Sequence, residues 1–156
     1  MLNRPNYNFD DNDLKIIATT IYIENSYEFE TSFITSDMIY EVMKNDLHMN
    51  GYEYAKALEN LGAEHIDSYI VEALESINNR LYHLNKIDIK KWVQDNNIKP
   101  KYNIGDLVKY ESIQIPNSFT NKVLITNIDS EMALYSLKIS DTSNLLVPFE
   151  KIEDKQ

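Results

Sequence analysis

Apolar residues between positions 38 and 61 recur every three or four positions, which is the spacing of one face of an α-helix. Thr35, Ser36 and Asp37 are residue types that cap helix N-termini, so a first helix is predicted from there to Leu47. A second, shorter helix is predicted over residues 52–61, because Gly62 then stands where a C-cap is expected.

The longest helical pattern begins at Asp67, a suitable N-cap, and its apolar residues step by four, three, four and three positions. These residues are Ile70, Leu74, Ile77, Leu81 and Leu84. The helical pattern continues through Trp92 and Val93 and stops before Pro100, because proline disfavours helix in the residue that precedes it. This apolar face is predicted to be buried, either in the chain's own core or in a homodimer through the helix at 67–84.

Residues 15–35 are predicted to form a β-hairpin, with an amphipathic helix as the alternative. Six of the eight residues from Ile16 to Ile23 are β-branched, which restricts side chains in a helix and suits a pleated strand. A second strand is predicted from Phe29 to Ile34, after a turn near Asn25 and Ser26.

Beyond Pro100 the apolar pattern changes from helical to alternating, and polar turn clusters separate the segments. Short strands are predicted at residues 107–110, 122–128, 133–139 and 145–147. The sequence therefore predicts an α+β protein. Its domains are an acidic, mainly helical domain over residues 1–99 and a small β-barrel domain over residues 101–156.

The β segment contains Tyr102, the pair Gly105-Asp106, the strand KVLITNI, Tyr135 and the ending LVPFEKIE. In this order the segment resembles the SH3-like small β-barrels of the KOW and Tudor type, over residues 101–154. The resemblance implies a barrel that binds peptides, modified side chains or nucleic acids, or that packs on a neighbouring domain. It also implies a groove for a partner, lined by barrel aromatics, with a place in the core as the alternative. These aromatics are Tyr102, Tyr110, Phe119 and Tyr135.

The N-terminal region carries most of the chain's net negative charge. The chain of 156 residues has a net charge of −10, and residues 1–60 hold 11 acids against 4 bases. Such a surface repels nucleic-acid phosphates and attracts a basic protein. The acidic residues predicted to bind this partner are Asp10, Asp11, Asp13, Glu24, Glu28 and Glu30.

Several kinds of chemistry are disfavoured by the residues present. The chain has no cysteine, and its three glycines cannot build a phosphate-binding loop. His48, His65 and His83 stand in no catalytic motif, so no enzyme activity, metal or cofactor is expected. With neither an apolar run of membrane-spanning length nor a leader peptide, a cytoplasmic location and no membrane contact are expected.

These features predict a non-enzymatic protein-interaction module. A composition rich in Asn and Ile is compatible with an accessory protein of a bacteriophage or mobile element, acting in the host cytoplasm. Such a protein is expected to inhibit or modulate a basic, nucleic-acid-binding protein through its acidic surface. The alternative is a nucleic-acid-binding regulator that uses the helix, turn and helix predicted over residues 37–61, the barrel and a basic stretch. This stretch contains Lys86, Lys90, Lys91, Lys99 and Lys101.

Overall fold

The computed structural model describes residues 3–6, 8–110 and 122–152. Within these ranges five α-helices precede a four-stranded antiparallel sheet, which confirms the α+β class. The helices are α1 (Asp11–Glu24), α2 (Ser26–Thr31), α3 (Ser36–Asn45), α4 (Gly51–Asn60) and α5 (Ser68–Asp95). The strands are β1 (Leu107–Lys109), β2 (Lys122–Asp129), β3 (Leu134–Lys138) and β4 (Asn144–Pro148), followed by a 3-10 helix at Phe149–Lys151.

The chain divides into two compact units. The helical unit comprises Pro5–Asn85, and the sheet unit comprises Met1–Arg4 together with Lys86–Gln156. The division falls within α5 because Ile89 and Val93, near its end, are buried in the same cluster as the residues of the sheet. The sequence pattern, in contrast, changes only at Pro100.

Residues 11–31 form helices α1 and α2, so the predicted β-hairpin is wrong and its helical alternative is correct. A capping box starts α1: the Asp10 carboxylate accepts from the Asp13 backbone N–H at 2.8 Å, and the Asp13 carboxylate accepts from that of Asp10 at 3.3 Å. One face of α1 is buried through Leu14, Ile17, Ala18 and Ile21. Capping and burial of this face outweigh the weak strand preference of β-branched residues.

The three predicted helices beyond residue 35 are confirmed, with their caps. The side chain of Thr35 accepts from Met38 N at 3.2 Å, and that of Asp67 accepts from Ile70 N at 3.1 Å. The apolar residues of α5 lie in the core of the helical unit, with exposed fractions of at most 1% for Ile70, Leu74, Ile77 and Leu81. This face is therefore covered within the chain, and a homodimer through the helix at 67–84 stays a prediction.

The sheet has strand order β1-β2-β3-β4, with every neighbouring pair antiparallel. The strands lie where the alternating pattern predicts them, to within one or two residues. Gly105 adopts a φ of +94°, which L side chains rarely adopt, and its N–H donates to Ile125 O at 2.9 Å. The Gly105-Asp106 pair therefore forms a turn that joins β2 by hydrogen bonds just before β1. The resemblance to SH3-like barrels stays a prediction.

The start of α4 packs closely on α5 at Gly51, which is buried. A Cβ atom at this position would lie 2.3 Å from the Val71 carbonyl oxygen and 2.9 Å from the Glu75 backbone nitrogen. Both atoms belong to the backbone of α5, so they cannot rotate away. We expect Gly51→Ala to lower the free energy of unfolding of the helical unit by about 1–3 kcal/mol, measured by urea denaturation followed by far-ultraviolet circular dichroism.

The control for this change is Asn60→Ala, an exposed position at the other end of the same helix. This variant should stay within about 0.5 kcal/mol of the wild-type protein. Equal stability of the two variants would contradict close packing of α4 on α5 at Gly51.

Candidate functional site

The helical unit carries the entire net negative charge of the chain. It holds 15 acids against 4 bases, a net charge of −11, whereas the sheet unit holds 10 acids against 11 bases, a net charge of +1. The negative electrostatic field of the chain therefore originates from the helical unit, and it would attract a cation. A site for such a partner is best sought on the surface of this unit.

Two adjoining depressions lie on the surface of the helical unit, formed by the end of α1, α2 and the first half of α5. The first has a volume of about 340 Å³ and includes three carboxylates, those of Glu24, Glu28 and Glu72. The second, of about 460 Å³, includes Tyr27 and Asp67. Both are lined by Glu28 and Tyr69, so they form one continuous feature. We call this feature the acidic tyrosine groove.

The sequence places the groove residues on exposed faces because the opposite faces of their helices are buried. On α2, Phe29 is fully buried, which turns Tyr27 and Glu28 outward. On α5, burial of Ile70 and Leu74 exposes Tyr69 and Glu72. The core that stabilises the unit thus also orients the side chains of the groove.

A side-chain hydrogen bond closes the C-terminal turn of α1, directly before α2 begins. Asn25 follows the last residue of α1, and its amide nitrogen donates to Ile21 O at 2.8 Å. Because α2 begins at the next residue, Ser26, the carboxylates of Glu24 and Glu28 come to line the same depression.

The charges of the groove are partly balanced within the chain. The Arg80 guanidinium donates to the Glu24 carboxylate. Among the described residues, Glu28 and Glu72 have no lysine or arginine at ion-pair distance. The groove therefore presents more negative charge than its own arginine neutralises.

Two aromatic rings of the groove are unusually open to solvent. Tyr27 is 77% exposed and Tyr69 is 71% exposed. The face of a tyrosine ring attracts a lysine or arginine side chain, and tyrosine is enriched at protein interfaces. Rings beside carboxylates can hold the apolar stem and the charged head of a basic side chain at the same time.

Of the six acidic residues predicted from the sequence, only Glu24 and Glu28 line the groove. Asp10 and Asp13 form the capping box at the opposite end of α1, where Asp11 is exposed in the first turn. A helix of 14 residues separates the two groups by about 20 Å. Glu30 is exposed on α2 and lines neither depression.

The site residues predicted from the sequence do not include Tyr27, Tyr69 or Glu72. The sequence indicates these rings only through its high tyrosine content, 11 residues, which does not distinguish exposed rings from buried ones. The signal for Glu72 was its place on the polar face of the long helix predicted from Asp67.

Three of the four aromatic residues predicted to line a groove lie in or against the core of the sheet unit. Tyr135 is fully buried and Tyr102 is 8% exposed, so the partner-binding role predicted for them is corrected to a structural one. The ring centre of Tyr135 lies 4.3 Å from that of Phe149. Tyr110 is half-buried against the same cluster, and Phe119 lies outside the described residues.

The basic stretch is partly engaged within the sheet unit. The Lys90 ammonium lies 2.6 Å from the Glu131 carboxylate, and this hydrogen bond and charge raise the pKa of Lys90. Lys86 is half-buried on the same helix, four residues earlier. The remaining members of the stretch, Lys91, Lys99 and Lys101, are exposed.

Comparison of the chain with protein-family models, with curated proteins and with solved structures finds no match. In the described part of the chain, no helix is long and apolar enough to cross a membrane. No three histidine or carboxylate side chains of residues 3–6, 8–110 and 122–152 are grouped so as to hold a metal ion.

The hydroxyl of Tyr135 is a structural acceptor in the sheet unit. It accepts from the backbone N–H of Lys101 at 2.8 Å and from that of Tyr102 at 3.0 Å. Tyr135→Phe removes an acceptor that two backbone N–H groups share, so we expect a loss of about 1–3 kcal/mol in unfolding free energy. Urea denaturation followed by the fluorescence of Trp92, the single tryptophan, measures this loss.

A matched control is Tyr54→Phe in the helical unit. The Tyr54 hydroxyl is buried and has no hydrogen-bond partner among the described residues, and its burial raises its pKa. Removing it should leave stability unchanged or increase it. If Tyr54→Phe cost as much as Tyr135→Phe, the loss would not come from the two backbone hydrogen bonds.

Proposed function

We propose that the protein is a non-enzymatic interaction module that binds a basic segment of a partner protein in the acidic tyrosine groove. The observation that carries the proposal is the position of Tyr69, which lines both depressions beside Glu28 and Glu72. Carboxylates that pair with no lysine or arginine in the described part of the chain, together with exposed rings, are complementary to basic side chains of a partner.

The shape of the groove favours a polypeptide over a small molecule. Small-molecule sites are enclosed and mostly apolar, with few polar groups. The two depressions are instead open to solvent and share Glu28 and Tyr69, and the ring of Tyr27 beside them is also largely exposed. A continuous surface of this kind suits a segment that presents several side chains in succession.

The distribution of charge favours a protein over nucleic acid as the partner. The helical unit, with 15 acids against 4 bases, repels phosphates. A nucleic-acid-binding protein carries the opposite charge, so its basic surface is attracted and can be covered. We therefore propose that the module inhibits or modulates such a protein, as an accessory factor of a bacteriophage or mobile element.

The groove can be tested with a fluorescently labelled octapeptide of alternating lysine and arginine. We expect Glu28→Gln with Glu72→Gln to weaken binding of this peptide about tenfold at low salt, since two charge contacts are lost. The dependence of affinity on salt concentration should also become less steep. Fluorescence anisotropy at several salt concentrations measures both quantities.

The matched control is the double variant Asp11→Asn with Glu30→Gln. It removes the same charge from exposed positions outside the groove. If both double variants lost the same affinity, the peptide would be responding to net charge alone, and the groove would not be its site.

The natural partner can be sought by capture from a bacterial lysate treated with nuclease. A protein retained by the wild-type chain and lost with the Glu28→Gln, Glu72→Gln variant is the expected result. Retained material that disappears with nuclease treatment would contradict the proposal and favour the basic stretch around Lys91 and Lys99 as the site.

A further inference from the structure

Arg4 belongs to the sheet unit, where its side chain occupies a site built by three separate parts of the chain. Its guanidinium donates to the carbonyl oxygen of Met132 and, at 3.3 Å, to that of Ala133. It lies 3.5 Å from the Glu150 carboxylate and 5.9 Å from the ring centre of Trp92. The Arg4 side chain is only 14% exposed.

The acceptors of this site are held in place by other residues. Ala133 is fully buried, and its carbonyl oxygen also accepts from Phe149 N at 3.0 Å. Met132 N donates to the Asp129 carboxylate at 3.0 Å, which fixes the turn between β2 and β3. Trp92 belongs to helix α5. The carbonyl groups and the indole ring should therefore keep their positions when the arginine side chain leaves.

Residues 3–6, which include Arg4, lie in no helix or strand. The contacts described for the Arg4 side chain are made to residues at least 88 positions further along the chain, from Trp92 onward. Among residues 3–6, Arg4 supplies the side-chain contacts described with the sheet unit, much as an anchor residue of a peptide ligand does.

The chemistry of the site is selective for a guanidinium group. Two carbonyl oxygens and a carboxylate match donors that fan out in one plane, and an aromatic ring beside them favours the flat, weakly hydrated arginine head. A lysine ammonium is a compact point charge and cannot span the same acceptors. The chain has only two arginines among its 15 basic residues, and both are paired with glutamates.

We propose that this site recognises an arginine side chain of a second polypeptide, and that Arg4 is its displaceable intramolecular occupant. Because Arg4 is tethered to the site by the chain, its effective concentration there is in the millimolar range. Weakly binding competitors therefore do not displace it. A partner that presents arginine within a larger contact surface overcomes this competition.

The experiment uses the full-length Arg4→Ala variant and the fluorescence of Trp92, the single tryptophan of the chain. The probes are N-acetyl-arginine amide and, as the matched cation, N-acetyl-lysine amide. We expect a saturable change in Trp92 emission with the arginine derivative alone. The wild-type protein should need about tenfold more of it, because Arg4 competes.

Each other outcome overturns the proposal. Folded Arg4→Ala protein that responds to neither derivative has no site for a free arginine, and equal responses to both derivatives exclude guanidinium recognition. If Arg4→Ala does not fold, the titration is repeated with Arg4→Lys, which keeps the positive charge but lacks the planar guanidinium group. If this variant also fails to fold, Arg4 is a fixed structural residue and not a displaceable ligand.

Discussion

The helical unit depends on the burial of one face of α5. Ile70, Leu74 and Ile77 share a single core with apolar residues of α1, α3 and α4, and Gly51 allows the backbone of α4 to come close to α5. Burying these large side chains removes apolar area from water, which stabilises the folded state by about 25 cal/mol per Å² and is the main favourable term in folding. Because this face is fixed inside, the opposite face of α5 is presented to solvent together with Tyr69 and Glu72. Stability and the geometry of the groove therefore have the same origin.

The regular elements beyond residue 35 could be predicted because their apolar spacing agrees with their caps and turns. The steps from Ile70 to Leu81, the cap at Asp67 and the change of period after Pro100 all lead to the observed elements. The β-hairpin predicted for residues 15–35 is wrong because the β-branched side chains in IIATTIYI have only a weak preference for strands. The capping box of Asp10 and Asp13 and the shared core decide in favour of helix.

The groove could be predicted only in part. Glu24 and Glu28 belong to an acidic region that the sequence displays, but Arg80, which pairs with Glu24, lies 56 positions away. Contacts between residues this far apart follow from the packing of helices and not from local pattern. Tyrosine adds a second ambiguity, since the same residue type is the buried acceptor Tyr135 in the sheet unit and the exposed ring Tyr69 in the helical unit. Composition alone does not separate these two roles.

The contact of Arg4 with Glu150 also bears on the order in which the chain folds. These residues are 146 positions apart, whereas the helical unit is formed by one continuous segment, Pro5–Asn85. During synthesis the helical unit can fold as soon as its segment has left the ribosome, but the sheet unit has to wait for residues near the other end of the chain. Closing a loop of this length costs conformational entropy before any contact is gained, so the attachment of Arg4 should be among the last events of folding. A nascent chain would therefore display its acidic surface before its sheet unit is complete.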